Sequence, residues 1–172
     1  MRLFVAIRLS EQVKAMLIDV QNQMYEGGVR GNYSQEGNLH LTLAFIGEYQ
    51  DSESVMDALE NVSFTPFEIA VEGFGNFGSL WWAGIQDNPA LKSVVRRLRR
   101  SLQEAQIPFD KKAFRPHITL IRKAELRNGV PEITYEKTGM LVNSISLMKS
   151  ERGRKGMIYT EIGVLNSNQD SD

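Results

Sequence analysis

Several features common in other proteins are missing from this chain or scarce in it. Cysteine is absent from all 172 residues, which excludes any disulfide and any cysteine-ligated metal site. Histidine occurs only twice, and acidic and basic residues nearly cancel to a net charge of −1 with a pI near 6.2. This balance argues against a broad surface that coats nucleic acid, although it leaves room for a small basic site.

A long apolar run is also missing. The opening stretch, residues 1–8, is apolar for only a few positions and is closed by Arg8, so it is too short for a secretory signal or a membrane span. We therefore expect a cytoplasmic protein without a membrane anchor. A hydrophobic content of 42% is enough for one ordinary folded domain. That domain is predicted over residues 1–165, with a polar, disordered tail at 166–172.

Local patterns predict both helices and strands. A capping Ser10 begins a helix that two glycines end at 27–28, residues 52–62 form a second helix, and Asn88 with Pro89 begins a third. Residues 30–38 read as a polar loop. Strands are predicted over residues 3–7, 39–46, 67–72, 80–85, from about 114 onward, 133–135, 141–149 and 157–164. This order predicts an α+β fold with helices on the outside.

Two conspicuous patterns favour structural explanations over binding sites. Residues 73–78 match G-x-G-x-x-G, but the segment that follows reads as a strand, whereas a dinucleotide site needs a helix there. A glycine-rich hairpin loop is the better interpretation. The third helix carries a basic cluster, which favours a solvated face over an RNA-binding patch: Arg96, Arg97, Arg99 and Arg100.

The pattern His-x-Thr-x occurs twice, at residues 40–43 and 117–120, and contains both histidines of the chain. On a strand, side chains at i and i+2 share a face, so each copy presents an imidazole and a hydroxyl about 7 Å apart while its apolar residues point into a core. The copies lie almost half a chain length apart. This spacing suggests two similar lobes that face each other across a cleft, with both imidazoles in one site.

Two histidines can divide acid–base work because their unperturbed pKa, about 6.5, allows either protonation state near neutral pH. One imidazole would take a proton from water while the other gives one to a departing alkoxide. Threonine hydroxyls would bind phosphate oxygens, and Arg115 and Arg122, which flank the second copy, are candidates for a charge-balancing cation. Two imidazoles alone rarely fill a zinc sphere, so we predict no metal and no cofactor.

At these residues the chain resembles the 2H phosphoesterase superfamily, and within it the RNA 2′,3′-cyclic phosphodiesterases formerly called 2′-5′ RNA ligases. The resemblance covers most of the chain. It is carried by the segments at residues 2–7, 38–48, 82–85, 114–122, 147–150 and 156–160. Two His-x-Thr-x copies in these contexts are a highly specific sign of this resemblance.

The resemblance implies a bilobal α+β fold with pseudo-twofold symmetry, in which mixed or antiparallel sheets line a central cleft. It also implies hydrolysis of an RNA-terminal 2′,3′-cyclic phosphate to a 2′-phosphate. Carried over residue by residue, His40 would be the proton donor to the leaving 3′ oxygen and His117 the acceptor that activates water. Thr42 and Thr119 would bind the phosphate.

Other functions and residues stay open at this point. A nucleotide-binding module with little turnover would bind an AMP-like ligand, and reversible 2′-5′ joining of RNA ends could use the same residues. The expected partners are RNA ends or small cyclic nucleotides, bound by a monomer. Phe45 and Tyr159 are candidates for base stacking, although core packing is the safer interpretation for Phe45. The basic segment 149–155 either contacts an RNA backbone or is a charged turn.

Overall fold

The computed structural model of this chain describes residues 1–168. It contains three α-helices: α1 (Glu11–Glu26), α2 (Ser52–Glu60) and α3 (Pro89–Glu104). Its strands are β1 (Arg2–Arg8), β2 (Val29–Tyr33), β3 (His40–Glu48), β4 (Phe67–Phe77), β5 (Leu80–Ile85), β6 (His117–Leu126), β7 (Thr138–Val142), β8 (Ser144–Gly153) and β9 (Gly156–Asn166).

The strands form two antiparallel sheets. One has four strands in the order β3-β1-β8-β9, and the other has five in the order β2-β6-β5-β4-β7. Helix α1 packs on the five-stranded sheet and α2 contacts β9 of the four-stranded sheet, while α3 contacts both β3 and β4. The predicted bilobal α+β fold is therefore confirmed.

Capping residues fix where the two long helices begin. The Ser10 side chain accepts a hydrogen bond from the Val13 amide at 3.2 Å, and the Asn88 side chain accepts one from the Leu91 amide at 3.0 Å. Each cap satisfies one of the amide groups that a helix N-terminus leaves without an internal partner. The predicted starts of both helices are confirmed.

The structure corrects the prediction of a loop over residues 30–38. Most of its first half belongs to β2, which pairs with β6 as the edge strand of the five-stranded sheet. An edge strand tolerates polar residues on both faces, so its sequence carries no clear alternation. At Gly31 the backbones approach so closely that a Cβ would lie 2.7 Å from the Lys123 carbonyl oxygen.

The predicted strand at 133–135 is also wrong. In that segment the backbone of Thr134 bonds the Gln23 side chain of α1 through both its amide, at 3.0 Å, and its carbonyl, at 2.8 Å. The segment predicted as one strand over 141–149 is divided between β7 and β8 by Asn143. Strand β6 begins at His117, after the predicted start, because Pro116 has no amide hydrogen for strand pairing.

The glycine-rich stretch 73–78 is mostly strand, not loop. Pairing of β4 with β5 continues through Phe77 and Leu80, and Gly78, with φ of 59°, lies in the short turn between them. A strand follows this turn, as predicted, which excludes the helix that a dinucleotide site requires. The predicted tail also starts later than expected, since Asn166 belongs to β9 and the Asn168 amide donates to the Phe64 carbonyl at 2.7 Å. Positions 169–172 of that tail lie outside the described residues.

None of the helices within residues 1–168 combines the length and the apolar character that a membrane span needs.

Candidate active site

The two His-x-Thr-x segments begin β3 and β6, and these strands lie side by side where the two sheets meet. The residues between and after the motif positions are fully or almost fully buried, namely Leu41, Leu43, Ile118 and Leu120. His40, Thr42, His117 and Thr119 are only partly buried and point to the opposite face. The alternation expected of a half-buried strand thus places imidazole and hydroxyl on the cleft side in both copies.

Both imidazoles are oriented by the same backbone contact. Nδ1 of His40 lies 2.7 Å from the Asn38 carbonyl oxygen, and Nδ1 of His117 lies 2.6 Å from the Arg115 carbonyl oxygen. A carbonyl only accepts, so Nδ1 carries the hydrogen in each ring and Nε2 is left as the reactive nitrogen. The two histidines therefore present Nε2 in matching tautomers.

The surroundings of His40 favour its neutral form. Its ring packs against Phe4, with centroids 4.9 Å apart, and against Tyr159 at 5.2 Å. Burial lowers the pKa of His40 from its ordinary value, and the positive charge of Arg122 and the neighbouring His117 lower it further, against the hydrogen bond to Asn38. This imidazole is consequently poised to be neutral near pH 7.

The cavities along the cleft mix residues from both strands. Thr42 shares a cavity with His117, and Thr119 shares another with His40 and Arg122. Each threonine therefore faces space that the histidine of the other strand also faces. This arrangement brings together the four motif side chains that the sequence singles out.

A β-bulge lies at the last residue of each motif and changes which later residues reach the cleft. In β3, Thr42 pairs with Ala6 and Ala44 with Val5, so Leu43 is the extra residue. In β6, Thr119 pairs with Trp82 and Ile121 with Trp81, so Leu120 is the extra residue. An extra residue shifts the alternation by one position. The side chain five residues after each histidine then faces the cleft.

Those two side chains are Phe45 and Arg122. Both line one cavity together with His40 and Thr42. Strict alternation would have turned Arg122 into the core, so the bulge is what makes it available. Phe45 is 36% exposed, and the Arg2 guanidinium lies 5.1 Å from its ring centroid. Core packing, the safer interpretation of Phe45 from sequence, is therefore wrong.

The remaining sequence candidates lie at opposite sides of the cleft. Arg115 lines the cavity that holds His117, and its guanidinium lies 6.0 Å from the Phe77 ring. Tyr159 lines the cavities around His40 and packs edge-on against that imidazole.

A family model described as the 2'-5' RNA ligase superfamily matches residues 27–154, which contain both histidine strands. The chain belongs to the 2′-5′ RNA ligase superfamily. The resemblance inferred from the two motifs is confirmed.

Named members of this superfamily align with nearly the whole chain. A Thermotoga maritima protein named RNA 2′,3′-cyclic phosphodiesterase is 31% identical over 173 residues, covering 92% of this chain and 91% of its own. A protein of the same name from Archaeoglobus fulgidus is 30% identical, covering 95% and 99%.

Solved structures agree with the fold. Escherichia coli LigT in apo form is 25% identical with a TM-score of 0.84, over 98% of each chain. A protein from Thermus thermophilus is 28% identical with a TM-score of 0.80, over 96% of this chain and 97% of its own.

In this member of the superfamily, the structure adds residues around the motifs that sequence reasoning missed. Phe77 packs edge-on against His117, with centroids 5.0 Å apart. Arg99 and Lys112 line the same cavity as Thr42 and His117. The predicted solvated face is therefore wrong for Arg99, which turns toward the Leu43 carbonyl. No local pattern marks Phe77 or Lys112, because both reach the cleft only through tertiary packing.

The basic segment 149–155 also reaches the cleft. Arg152 lines the cavity with His40 and Thr42, and Lys155 lines the one with His40 and Thr119. The hairpin between β8 and β9 contacts the segment before His40, since the side-chain amide of Gln35 donates to the Lys155 carbonyl at 2.7 Å. A charged turn that faces only solvent does not describe this segment.

No group of three or more His, Asp or Glu side chains within residues 1–168 is arranged to hold a metal ion.

Proposed function

We propose that this protein hydrolyses the 2′,3′-cyclic phosphate at the end of an RNA strand and leaves a 2′-phosphate. The oxygen of a water molecule bonds to phosphorus while the bond between phosphorus and O3′ breaks. His117 accepts the proton of the water, and His40 donates a proton to O3′. Neither step needs a metal ion.

The observation that carries this proposal is the matched orientation of the two imidazoles. Each Nδ1 is held by a backbone carbonyl two residues earlier, so Nε2 would be the atom that transfers the proton in each ring. In-line displacement at phosphorus needs a base and an acid on opposite sides of the reacting atom. Two strands from opposite lobes supply that arrangement.

The charge that develops on the phosphate oxygens has matching partners. Thr42 and Thr119 offer hydroxyl donors, and Arg122 adds a fixed positive charge beside His40. Arg115 has the corresponding place beside His117. We assign phosphate binding to the two threonines and charge neutralisation to the two arginines.

The substrate class follows from the cations and rings beside the motifs. Arg152 and Lys155 would contact backbone phosphates of the RNA, and Phe45 would stack on a terminal base, with Tyr159 supporting the His40 ring.

Both histidines come from one chain, so one copy carries both catalytic side chains of the proposed mechanism. We expect a monomer that acts on RNA ends in the cytoplasm.

The test is a product analysis with defined variants. Wild type, His40→Ala and His117→Ala are incubated in excess chelator with a short RNA that ends in a 2′,3′-cyclic phosphate, and phosphorus NMR identifies the position of the product phosphate. We expect a 2′-phosphate from the wild type only, with the loss in each variant on the order of a hundredfold or more. Full activity in either variant would overturn the mechanism.

Two other results would point to the alternative functions. Tight binding of AMP without turnover would mean a nucleotide-binding module. A 2′-5′ linked product at high RNA concentration, in place of hydrolysis, would mean that end joining is the reaction.

A further inference from the structure

At each of the two β-bulges, the backbone carbonyl of the extra residue accepts a hydrogen bond from a helix side chain. In β3 this is the carbonyl of Leu43, and in β6 it is the carbonyl of Leu120. Each lies one residue after a motif threonine and two residues before the side chain that the bulge turns into the cleft. The geometry of these carbonyls therefore affects where Phe45 and Arg122 lie.

A side chain from a long helix bonds each of the two carbonyls. Arg99 of α3 donates to the Leu43 oxygen through Nε at 3.2 Å and through Nη2 at 3.1 Å. Gln21 of α1 donates through Nε2 to the Leu120 oxygen at 3.0 Å and to the Ser34 oxygen at 2.9 Å. In each lobe a planar N–H group of a helix side chain bonds the bulge carbonyl, and the Leu120 oxygen also accepts from the Ser34 amide at 2.9 Å.

The two caps are equivalent in the chain as well. Helices α1 and α3 both have 16 residues, and Gln21 and Arg99 are the eleventh residue of their helices. Each precedes one of the motif strands, but each caps the strand of the other motif: α1 caps β6 and α3 caps β3. The internal duplication therefore extends beyond the four-residue motifs to a helix position, a bulge and a cleft residue.

Both side chains are placed where a polar group is costly unless it is bonded. Gln21 is one of two buried polar side chains in the part of the chain that the structure describes. Burial lowers the pKa of the Arg99 guanidinium, which also lines the cavity of Thr42 and His117. Polar groups in such positions are hydrogen-bonded as a rule, and a bonded one fixes local backbone geometry.

We propose that Gln21 and Arg99 are a matched pair of positioning residues, which hold the two bulges so that Arg122 and Phe45 reach the substrate. Gln21 acts through Arg122, and Arg99 acts through Phe45. This assignment rests on the proposed function for its effect on turnover, but the geometry of the bulges can be tested without turnover.

The first arm of the test uses Gln21→Met, which keeps side-chain length and removes the donor. If the Leu120 bulge relaxes, Arg122 moves away from His40, and the pKa of His40 rises because one of the positive charges that lower it is gone. The pKa is followed by NMR titration of the His40 ring. The other titratable groups that line the cavities around His40 are Arg2, Tyr33, Glu48, Arg152, Lys155 and Tyr159, and His117 also lowers the pKa of His40.

Comparison variants isolate the route through Arg122. Arg122→Met should also raise the pKa of His40. The double variant Gln21→Met with Arg122→Met should titrate like Arg122→Met alone, because Gln21 acts through Arg122. The matched control is Gln23→Met on the same helix, whose side chain bonds the backbone of Thr134 outside the cleft. It should leave the titration of His40 unchanged.

The second arm uses Arg99→Met. Misplacement of Phe45 should raise KM on the order of tenfold while the pKa of His40 stays unchanged. Arg99→Lys, which keeps a donor of similar reach, should restore most of the loss. Arg97→Met is the matched control, since Arg97 bonds the Ser63 carbonyl outside the cleft.

The outcomes separate this inference from the proposed function. A shifted His40 titration in Gln21→Met, together with an unchanged one in Arg99→Met and Gln23→Met, supports the role of Gln21 even if the wild type turns over no cyclic phosphate. An unshifted titration in folded Gln21→Met overturns the role of Gln21. A KM in Arg99→Met equal to that of the wild type overturns the role of Arg99.

Discussion

The Nε2 atom of His40 lies 2.7 Å from the hydroxyl oxygen of Thr42. The two residues are neighbours on one face of β3, so this hydrogen bond joins the reactive nitrogen of the first motif to its own threonine. A neutral imidazole accepts the hydroxyl hydrogen, and a protonated one donates to the hydroxyl oxygen. In the mechanism we propose, a bound phosphate would share or replace this bond, so the Thr42 hydroxyl would affect proton transfer as well as phosphate binding.

Replacement of Thr42 by valine should lower kcat/KM because it removes this hydroxyl without changing the shape of the side chain. A hydrogen bond to a charged group contributes about 1.5–3 kcal/mol, which corresponds to roughly a ten- to hundredfold loss. Steady-state kinetics with a cyclic-phosphate RNA would measure it. Thr42→Ser keeps the hydroxyl and should recover most of the activity, and a serine variant as poor as the valine variant would argue against the hydroxyl.

The pH dependence of kcat/KM should show the lowered pKa of His40. As proton donor His40 must be protonated, so the rate falls as pH rises through its pKa in the free enzyme. Burial and the charge of Arg122 lower that pKa, and the decline should therefore begin below the ordinary histidine value of 6.5.

Bound substrate should shift this fall in rate to higher pH. The negative phosphate favours protonated His40, so the decline of kcat should lie at higher pH than that of kcat/KM. Parallel profiles of both constants and NMR titration of His40 with and without a non-hydrolysable nucleotide would measure the difference. A decline of kcat/KM well above the ordinary histidine pKa of about 6.5 would contradict the assignment of His40 as donor.

Arg152 and Lys155 should govern the salt dependence of RNA binding. Each phosphate contact to a single strand contributes roughly 0.7 to the slope of log K against log salt, so the double change to glutamine should flatten the slope. Binding of a cyclic-phosphate RNA would be followed by fluorescence anisotropy in an inactive His117→Ala background. Lys137→Gln, an exposed lysine outside the cleft cavities, is the control. An unchanged slope in the double variant would mean that the hairpin does not contact the backbone.

Loss of the Asn88 cap should destabilise α3. Its side chain accepts from the Leu91 amide and donates to the Glu68 carbonyl, so Asn88→Ala should lower the free energy of unfolding by about 1–2 kcal/mol. Urea denaturation followed by circular dichroism would measure the change. Asn88→Asp keeps the acceptor and should lose less; equal losses would assign the effect to the Glu68 contact.

Much of the fold follows from short-range rules. The caps at Ser10 and Asn88 are local hydrogen bonds between residues three positions apart, which is why the helix starts could be predicted. The face of each motif was also predictable, because strand geometry puts His and Thr two positions apart on the same side. Strand β2 was missed for the opposite reason. It is an edge strand whose partner, β6, is distant in sequence, and its residues do not alternate between polar and apolar.

The candidate site was predicted in part. His40, Thr42, His117 and Thr119 were found because they repeat in a specific pattern. Phe77 lines the cleft from the hairpin of β4 and β5, and no local pattern marks it. The basic segment with Arg152 and Lys155 was noted in the sequence, but its place at the cleft was left open there. Arg99 was assigned to a solvated helix face together with its neighbours, yet it points to the Leu43 carbonyl, because only packing of α3 against β3 decides which of four arginines turns inward.

The sequence by itself determined the chemistry of this protein, since the only two histidines occur in two copies of one motif and strand periodicity sets their orientation. The tertiary structure decided which other side chains join them. A bulge is created by pairing between strands distant in sequence, and one extra residue reverses the faces of the side chains that come next on the strand. Arg122 and Phe45 therefore face the cleft for a reason that lies in their partner strands β5 and β1.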